Sequence, residues 1–321
     1  MSRILVIGAA GQIGTELIEQ LSIQYGKDRI VGADLNPPDA LPDIRDYVKL
    51  DVLDKEALAQ LVDQHEIKII YNLAAVLSAT AERIPEKAWN INMGGLFNVL
   101  ELAREKELER IFWPSSIAVF GNSTPKADTP QQTITEPSTV YGISKLAGER
   151  WCEYYHEKYG VDVRSIRYPG LISYKALPGG GTTDYAVEIY YKALEEKPFQ
   201  CFLNPDTRLP MMFMPDAVRA TIELMQAPPE NIKVRSSYNL AAFSISPADA
   251  AESIRKHLPD FEITYEPDYR EQIAGTWPHS IDDSKAREDW NWQHEYDVDS
   301  MTEVMLRELS GTRVNSNQSD Q

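Results

Sequence analysis

Short runs of β-branched and other apolar residues alternate with longer stretches of helical spacing through the first half of the chain. The pattern predicts strands at 3–7, 29–33, 47–49, 68–72, 110–113 and 162–167. Between most of them it predicts helices, over 12–25, 55–64, 85–106 and 139–159. In the first helix Ile13, Leu17, Ile18 and Leu21 recur at helical spacing. Strand–helix–strand repetition implies α/β architecture: a doubly wound parallel Rossmann sheet with both faces covered.

Past Arg167 the alternation stops. Pro178-Gly179-Gly180-Gly181 breaks the chain, a helical stretch follows over 183–196, and later elements are shorter and richer in Pro, Trp and Tyr, as in 267–278. The expected division is a Rossmann domain over 1–171, to which part of about 215–242 returns. A smaller C-terminal substrate-binding lobe is expected from 172–214 and 243–310. Residues 311–321 offer little to bury and are expected to be a disordered tail.

Composition narrows the partners. Among 321 residues, 49 acidic side chains against 32 basic ones give a formal charge of −17. That argues against nucleic acid and against an anionic membrane surface, and favours a small-molecule substrate. No apolar run approaches the roughly 18–20 residues of a membrane span. Met1-Ser2-Arg3 leads straight into a strand, leaving no room for a secretory or transit segment, so a cytoplasmic protein is expected. Cys152, Cys201 and five scattered histidines make neither a disulfide framework nor a protein-built metal site.

Gly8-Ala9-Ala10-Gly11-Gln12-Ile13-Gly14 follows a strand and opens a helix. Glycines there let the backbone approach a pyrophosphate, and the helix N-terminus offers it unpaired N–H groups. Asp34 ends the second strand, 20 residues after Gly14. A carboxylate at that point accepts from both hydroxyls of an adenosine ribose and repels a 2′-phosphate, which selects NAD over NADP. Asp51 and Val52 close the third strand, where they can read an adenine or simply form a turn. Leu73, Ala74 and Ala75 end the fourth with residues small enough for close cofactor approach.

Tyr141 and Lys145 stand four apart at the start of a helix, on one face. An ammonium at Lys145 would stabilise a phenolate and lower the tyrosine's pKa, and could also bind the nicotinamide ribose. Ser115 and Ser116 end the fifth strand, at the sheet edge where open α/β sheets place ligands. Ser116 is the preferred catalytic hydroxyl, and Ser115 is a second substrate contact.

Together these residues resemble the extended short-chain dehydrogenase/reductase superfamily, over roughly residues 1–310. The resemblance implies that Tyr141 acts as general base or acid, Lys145 tunes it and Ser116 orients the alcohol. Hydride then passes to or from the nicotinamide. Sugar-nucleotide dehydratases of the superfamily carry Asp-Glu after the catalytic serine or threonine. This chain has Ile117-Ala118, which cannot exchange protons. A nucleotide-sugar 4-epimerase stays open as an alternative, as does a non-catalytic NAD-binding regulator.

The stretch Leu177-Pro178-Gly179-Gly180-Gly181-Thr182-Thr183-Asp184-Tyr185-Ala186 is similar to a segment of the zinc-independent, short-chain L-threonine 3-dehydrogenases. Leu77-Ser78, Arg167 to Ile172, Met214 to Ala217, Trp277-Pro278 and Ile281-Asp282 add to the likeness. It implies NAD-dependent oxidation of L-threonine to L-2-amino-3-oxobutyrate. That product either loses CO2 to give aminoacetone or is cleaved by a ligase to glycine and acetyl-CoA. Ser78, Gly181, Thr182 and Thr183 would offer donors to the substrate carboxylate, and Tyr168 joins the cofactor residues. Asp184 would accept from the ammonium or cap a helix. Trp277 would close over the substrate or fill a core. The superfamily's habit of pairing the helix that bears the tyrosine with the one before it implies a homodimer.

Overall fold

Six strands carry the early alternation into one sheet. A computed structural model of the chain describes residues 2–36, 44–175 and 181–318, so Leu177, Pro178, Gly179 and Gly180 of the glycine-rich segment lie outside the described residues. The chain runs β1 (Arg3–Ile7), α1 (Gln12–Tyr25), β2 (Ile30–Asp34), β3 (Asp46–Lys49), α2 (Lys55–Gln64) and β4 (Ile67–Asn72). It continues through α3 (Ser78–Arg83), α4 (Pro85–Glu105), β5 (Arg110–Phe112), β6 (Ser115–Ser116), α5 (Val140–Tyr159) and β7 (Val163–Arg164). The sheet order is β3-β2-β1-β4-β5-β7, with every pair parallel.

Alternation along β1 shows why the sheet is covered on both sides. Leu5 and Ile7 face a core shared with Leu58 and Leu61 of α2, Leu96 and Val99 of α4, and Cys152 of α5. Ile4 and Val6 face the opposite core, with Leu17 and Leu21 of α1. That second core is completed by chain from much further on: Met214 to Met225, Tyr238, Trp290 and Trp292.

The single strand expected at 162–167 is two strands in two sheets. β7 closes the main sheet, while β8 (Ile166–Tyr168) pairs with β6 on one side and, on the other, with a strand that comes later in the chain. Ser165 is the break: its carbonyl accepts the Tyr238 N–H at 2.9 Å and its hydroxyl bonds Ser237 at 2.8 Å. The chain therefore turns to receive a new neighbour.

The remaining elements are β9 (Gly170–Ile172), α6 (Tyr185–Leu194), β10 (Phe199–Cys201), β11 (Leu209–Phe213) and α7 (Met214–Gln226). Then come β12 (Tyr238–Asn239), which is the late partner of β8, β13 (Phe243–Ile245), α8 (Pro247–Arg255), β14 (Ile263–Tyr265), α9 (Tyr269–Ala274), α10 (Ser284–Trp290) and α11 (Val298–Gln318). A third core joins α6, α8 and α11 to β10 and β11. β11 divides two cores: Met211 and Phe213 point into this one, Met212 into the α7 side of the main sheet. Two expectations are corrected. Helix α6 begins at Tyr185 rather than 183, because the Asp184 carboxylate turns back to accept the Gly181 N–H at 2.7 Å. The tail expected to lack structure from 311 is helical through Gln318, since an established helix extends at little nucleation cost. No helix among the described residues is long and apolar enough to cross a membrane.

Candidate active site

The strand order reverses between β1 and β4, the switch point at whose carboxyl edge open α/β sheets bind ligands. On the β1 side lies the glycine turn. Gly8 has φ +81°, and a Cβ on it would stand 2.9 Å from the Leu73 carbonyl carbon and the Ala74 nitrogen. A Cβ on Gly14 would stand 2.2 Å from the Gly8 carbonyl oxygen. The turn therefore presses α1 onto β1 and β4, as only glycine permits. Gly11 caps α1 with no side-chain hydrogen bond, and Gln12 and Ile13 form its first turn. Asp34 stands beside this turn, its Oδ2 accepting the Ala10 N–H at 3.0 Å.

These residues fit a dinucleotide: a backbone cradle that a Cβ would fill, a helix N-terminus for the pyrophosphate, and a carboxylate at the ribose position. Leu73, Ala74 and Ala75 follow β4 against the same glycine turn and are half-buried. Asp51 is exposed and turns its carboxylate to the Leu53 N–H at 3.0 Å, which is the turn role. Val52 is buried, and its carbonyl accepts from Asn98 Nδ2 at 2.9 Å. Tyr168 is buried with its hydroxyl bonded to Thr221, so its side chain is turned away from a cofactor and only its backbone is available.

On the other side α5 presses against the segment after β5. The Thr139 hydroxyl caps this helix at the Gly142 N–H, 3.0 Å away. Gly142 and Gly148 let it sit close: a Cβ on Gly142 would be 2.1 Å from the Ala118 carbonyl oxygen, and one on Gly148 would be 2.3 Å from the Trp113 ring. Tyr141 stands near enough to Ser116 for the serine hydroxyl to favour its phenolate, while Ser116 Oγ accepts the Ala118 N–H at 3.2 Å. Lys145 is 3% exposed, donates to the Pro114 carbonyl at 2.6 Å, and lies 4.4 Å from the centre of the Trp113 ring.

Electrostatics at the pair depart from the sequence reading. Burial pushes Tyr141 up to about 12, and the nearby Ser116 hydroxyl only partly offsets it. Burial likewise pushes Lys145 down to about 7, opposed by Cys152 and Glu149. Only Ser116 lowers Tyr141 here and Lys145 contributes nothing to it, so the lowering expected from the lysine is not seen.

Ser115 is also corrected. It is 1% exposed and donates to Glu149 Oε1 at 2.6 Å, facing inward rather than toward substrate. Glu149 has no exposed surface, and Arg167 holds both its oxygens, Nε to Oε1 at 2.8 Å and Nη2 to Oε2 at 2.7 Å. Arg167 in turn donates to Asn239 Oδ1 at 3.0 Å and to the Gln131 carbonyl at 3.1 Å. Sequence reasoning missed Trp113, Glu149 and this network. The available signal was Glu149 itself, a carboxylate four residues beyond Lys145 on the same face.

Of the expected substrate residues, Ser78 opens α3 and is half-buried. Asn92 holds the loop before it, accepting the Val76 N–H at 2.7 Å and donating to the Val76 carbonyl at 3.2 Å. Thr182 is buried, and the Thr183 methyl lies where a Cβ on Gly170 would come within 2.9 Å of it. Asp184 caps Gly181. Trp277, 7% exposed, packs in the same core as Ile117, Ala118 and Tyr141. The Lys126 ammonium ties its segment down, donating to Thr276 at 2.6 Å and Gly121 at 3.0 Å.

Residues 4–241 match the NAD dependent epimerase/dehydratase family. An uncharacterized epimerase/dehydratase of Staphylococcus saprophyticus is 48% identical over 97% of this chain and 98% of its own. The holo form of a GalE-like L-threonine dehydrogenase from Cupriavidus necator is 54% identical, covering 96% of this chain and 99% of that one, with a TM-score of 0.94. A monomeric L-threonine 3-dehydrogenase of metagenomic origin, in its apo form, is 49% identical over 95% of this chain and 98% of that one, with a TM-score of 0.91.

Proposed function

The chain belongs to the NAD dependent epimerase/dehydratase family, and from that premise we propose that it oxidises the 3-hydroxyl of L-threonine to L-2-amino-3-oxobutyrate. Ser116, Tyr141 and Lys145, brought together by α5 and the segment after β5, carry the reading of the chemistry. Likeness to the Cupriavidus enzyme supports the choice of substrate.

NAD, held along Gly8, Gly11, Gln12, Ile13 and Asp34, supplies the acceptor for the hydride that leaves C3. The chain's own residues do the rest. Ser116 and Tyr141 share the substrate hydroxyl, and Tyr141 Oη takes its proton as the C–O bond becomes a carbonyl. Burial of the phenol excludes water from that transfer but also raises the cost of charging it, so the proton leaves readily only when a positive charge stands near. Lys145, fixed by Pro114 and Trp113, supplies part of that charge in the fraction that stays protonated, since burial lowers it to about 7. The substrate carboxylate finds donors at Ser78, Thr182 and Thr183, beside Gly181, whose own N–H is held by Asp184, while Trp277 closes the apolar side.

Purified protein with NAD should form NADH when given L-threonine, survive a chelator, and do little with NADP or a UDP-hexose. Tyr141→Phe should lower kcat by about 10²- to 10⁴-fold and leave NAD affinity nearly unchanged. Silence with threonine alongside epimerised UDP-sugar would move the assignment to the 4-epimerase reading.

A further inference from the structure

Three consecutive residues after β5 are each held by one turn of α5. Tyr141 meets Ser116, Lys145 donates to the Pro114 carbonyl, and Glu149 accepts from Ser115. The helix positions stand four apart and share a face. The first two contacts belong to the reacting centre described above, and the third lies behind it. We infer that the Ser115–Glu149 bond is a positioning contact for catalysis: it fixes the segment from which Ser116 reaches Tyr141. This rests on the Ser–Tyr–Lys reading, but not on which alcohol is the substrate.

The carboxylate is built as a rigid acceptor. Arg167 grips both of its oxygens, and Arg167 is itself fixed by Asn239 and the Gln131 carbonyl. Neutralising Arg167 needs only that two-point contact. The extra bond, from Ser115 to Oε1 at 2.6 Å, instead reaches the residue next to the catalytic serine. Bonds to an ionised acceptor are short and strong, so the hydroxyl is held in one direction. β6 needs such an anchor, because it is two residues long and pairs with β8 at only Ser115↔Arg167 and Ser116↔Tyr168.

Ser115→Ala removes the contact cleanly, since Glu149 keeps both Arg167 bonds and no buried charge is left unpaired. In that variant kcat should fall about tenfold or more, with KM for NAD and for the alcohol within about twofold of wild type. Glu149→Ala should fall at least as far, and adding Ser115→Ala to it should cost nothing more, because both changes remove one interaction. If Glu149→Ala does not fold, Ser115→Ala decides alone. Should wild type oxidise another alcohol instead of threonine, the same ratios are read on that alcohol. Should it oxidise none, hydrogen exchange decides: the Ala118 amide, which donates to Ser116 Oγ, should exchange faster in Ser115→Ala. Wild-type kcat in Ser115→Ala, or unchanged exchange in an inactive protein, overturns the inference.

Discussion

Lys145 sits in surroundings that disfavour its own charge. Burial lowers it to about 7 from an ordinary 10.5, and the Pro114 carbonyl and Trp113 face are what its ammonium receives in return. Between those two values the unfolded chain binds the proton and the folded chain does not, so stability rises with pH across that window. Relative to Lys145→Met, the wild type should therefore gain stability from pH 7 to 9, by up to about 1.4 kcal/mol per pH unit. Urea unfolding of the two proteins measures this, and a difference that stays flat with pH would show that the amine remains charged. Residue identities at the site were legible in the sequence because spacing fixes which side chains share a helix face. Their protonation was not, since burial depends on Trp113 and on chain that arrives from far away. The inward turn of Ser115 was hidden for the same reason: its partner Glu149 is bound to Arg167, and nothing local marks that pairing.

Among the elements, α5 is the one on which the site depends, and its two glycines set how closely it packs. A methyl on Gly142 would meet the Ala118 backbone, which cannot yield as a flexible side chain would. Gly142→Ala should push the helix start outward, separate Tyr141 from Ser116, and lower kcat by at least tenfold. A stability loss of about 1–3 kcal/mol should accompany it, measurable by thermal unfolding. The helices α1, α2, α4 and α5 were legible because each shows a long apolar period, and β1 and β2 because their central residues are an unbroken run of apolar or small side chains. The two- and three-residue strands of the small sheets leave no such trace. They exist because distant segments supply their partners, as Tyr238 does for Ile166.

At the scale of the whole molecule, the outer side of α4 and α5 bears a run of aromatic rings. Trp151 packs on Phe97 with ring centres 4.8 Å apart and on Tyr154 at 5.5 Å, while Trp89, Trp151, Tyr154 and Tyr159 remain 39–44% exposed. On this face we propose a homodimer, and Trp151→Glu should convert the dimer to monomer in sedimentation equilibrium. A wild type that sediments as a monomer would align the chain with its monomeric relative instead. One further property follows from the core that Ile4 and Val6 share with α7, Trp290 and Trp292. During synthesis α1 covers part of this side early, but α7 arrives only after about residue 226 and Trp290 and Trp292 later still. A fragment ending at 171 would therefore leave exposed the apolar surface that those later residues bury in the finished molecule.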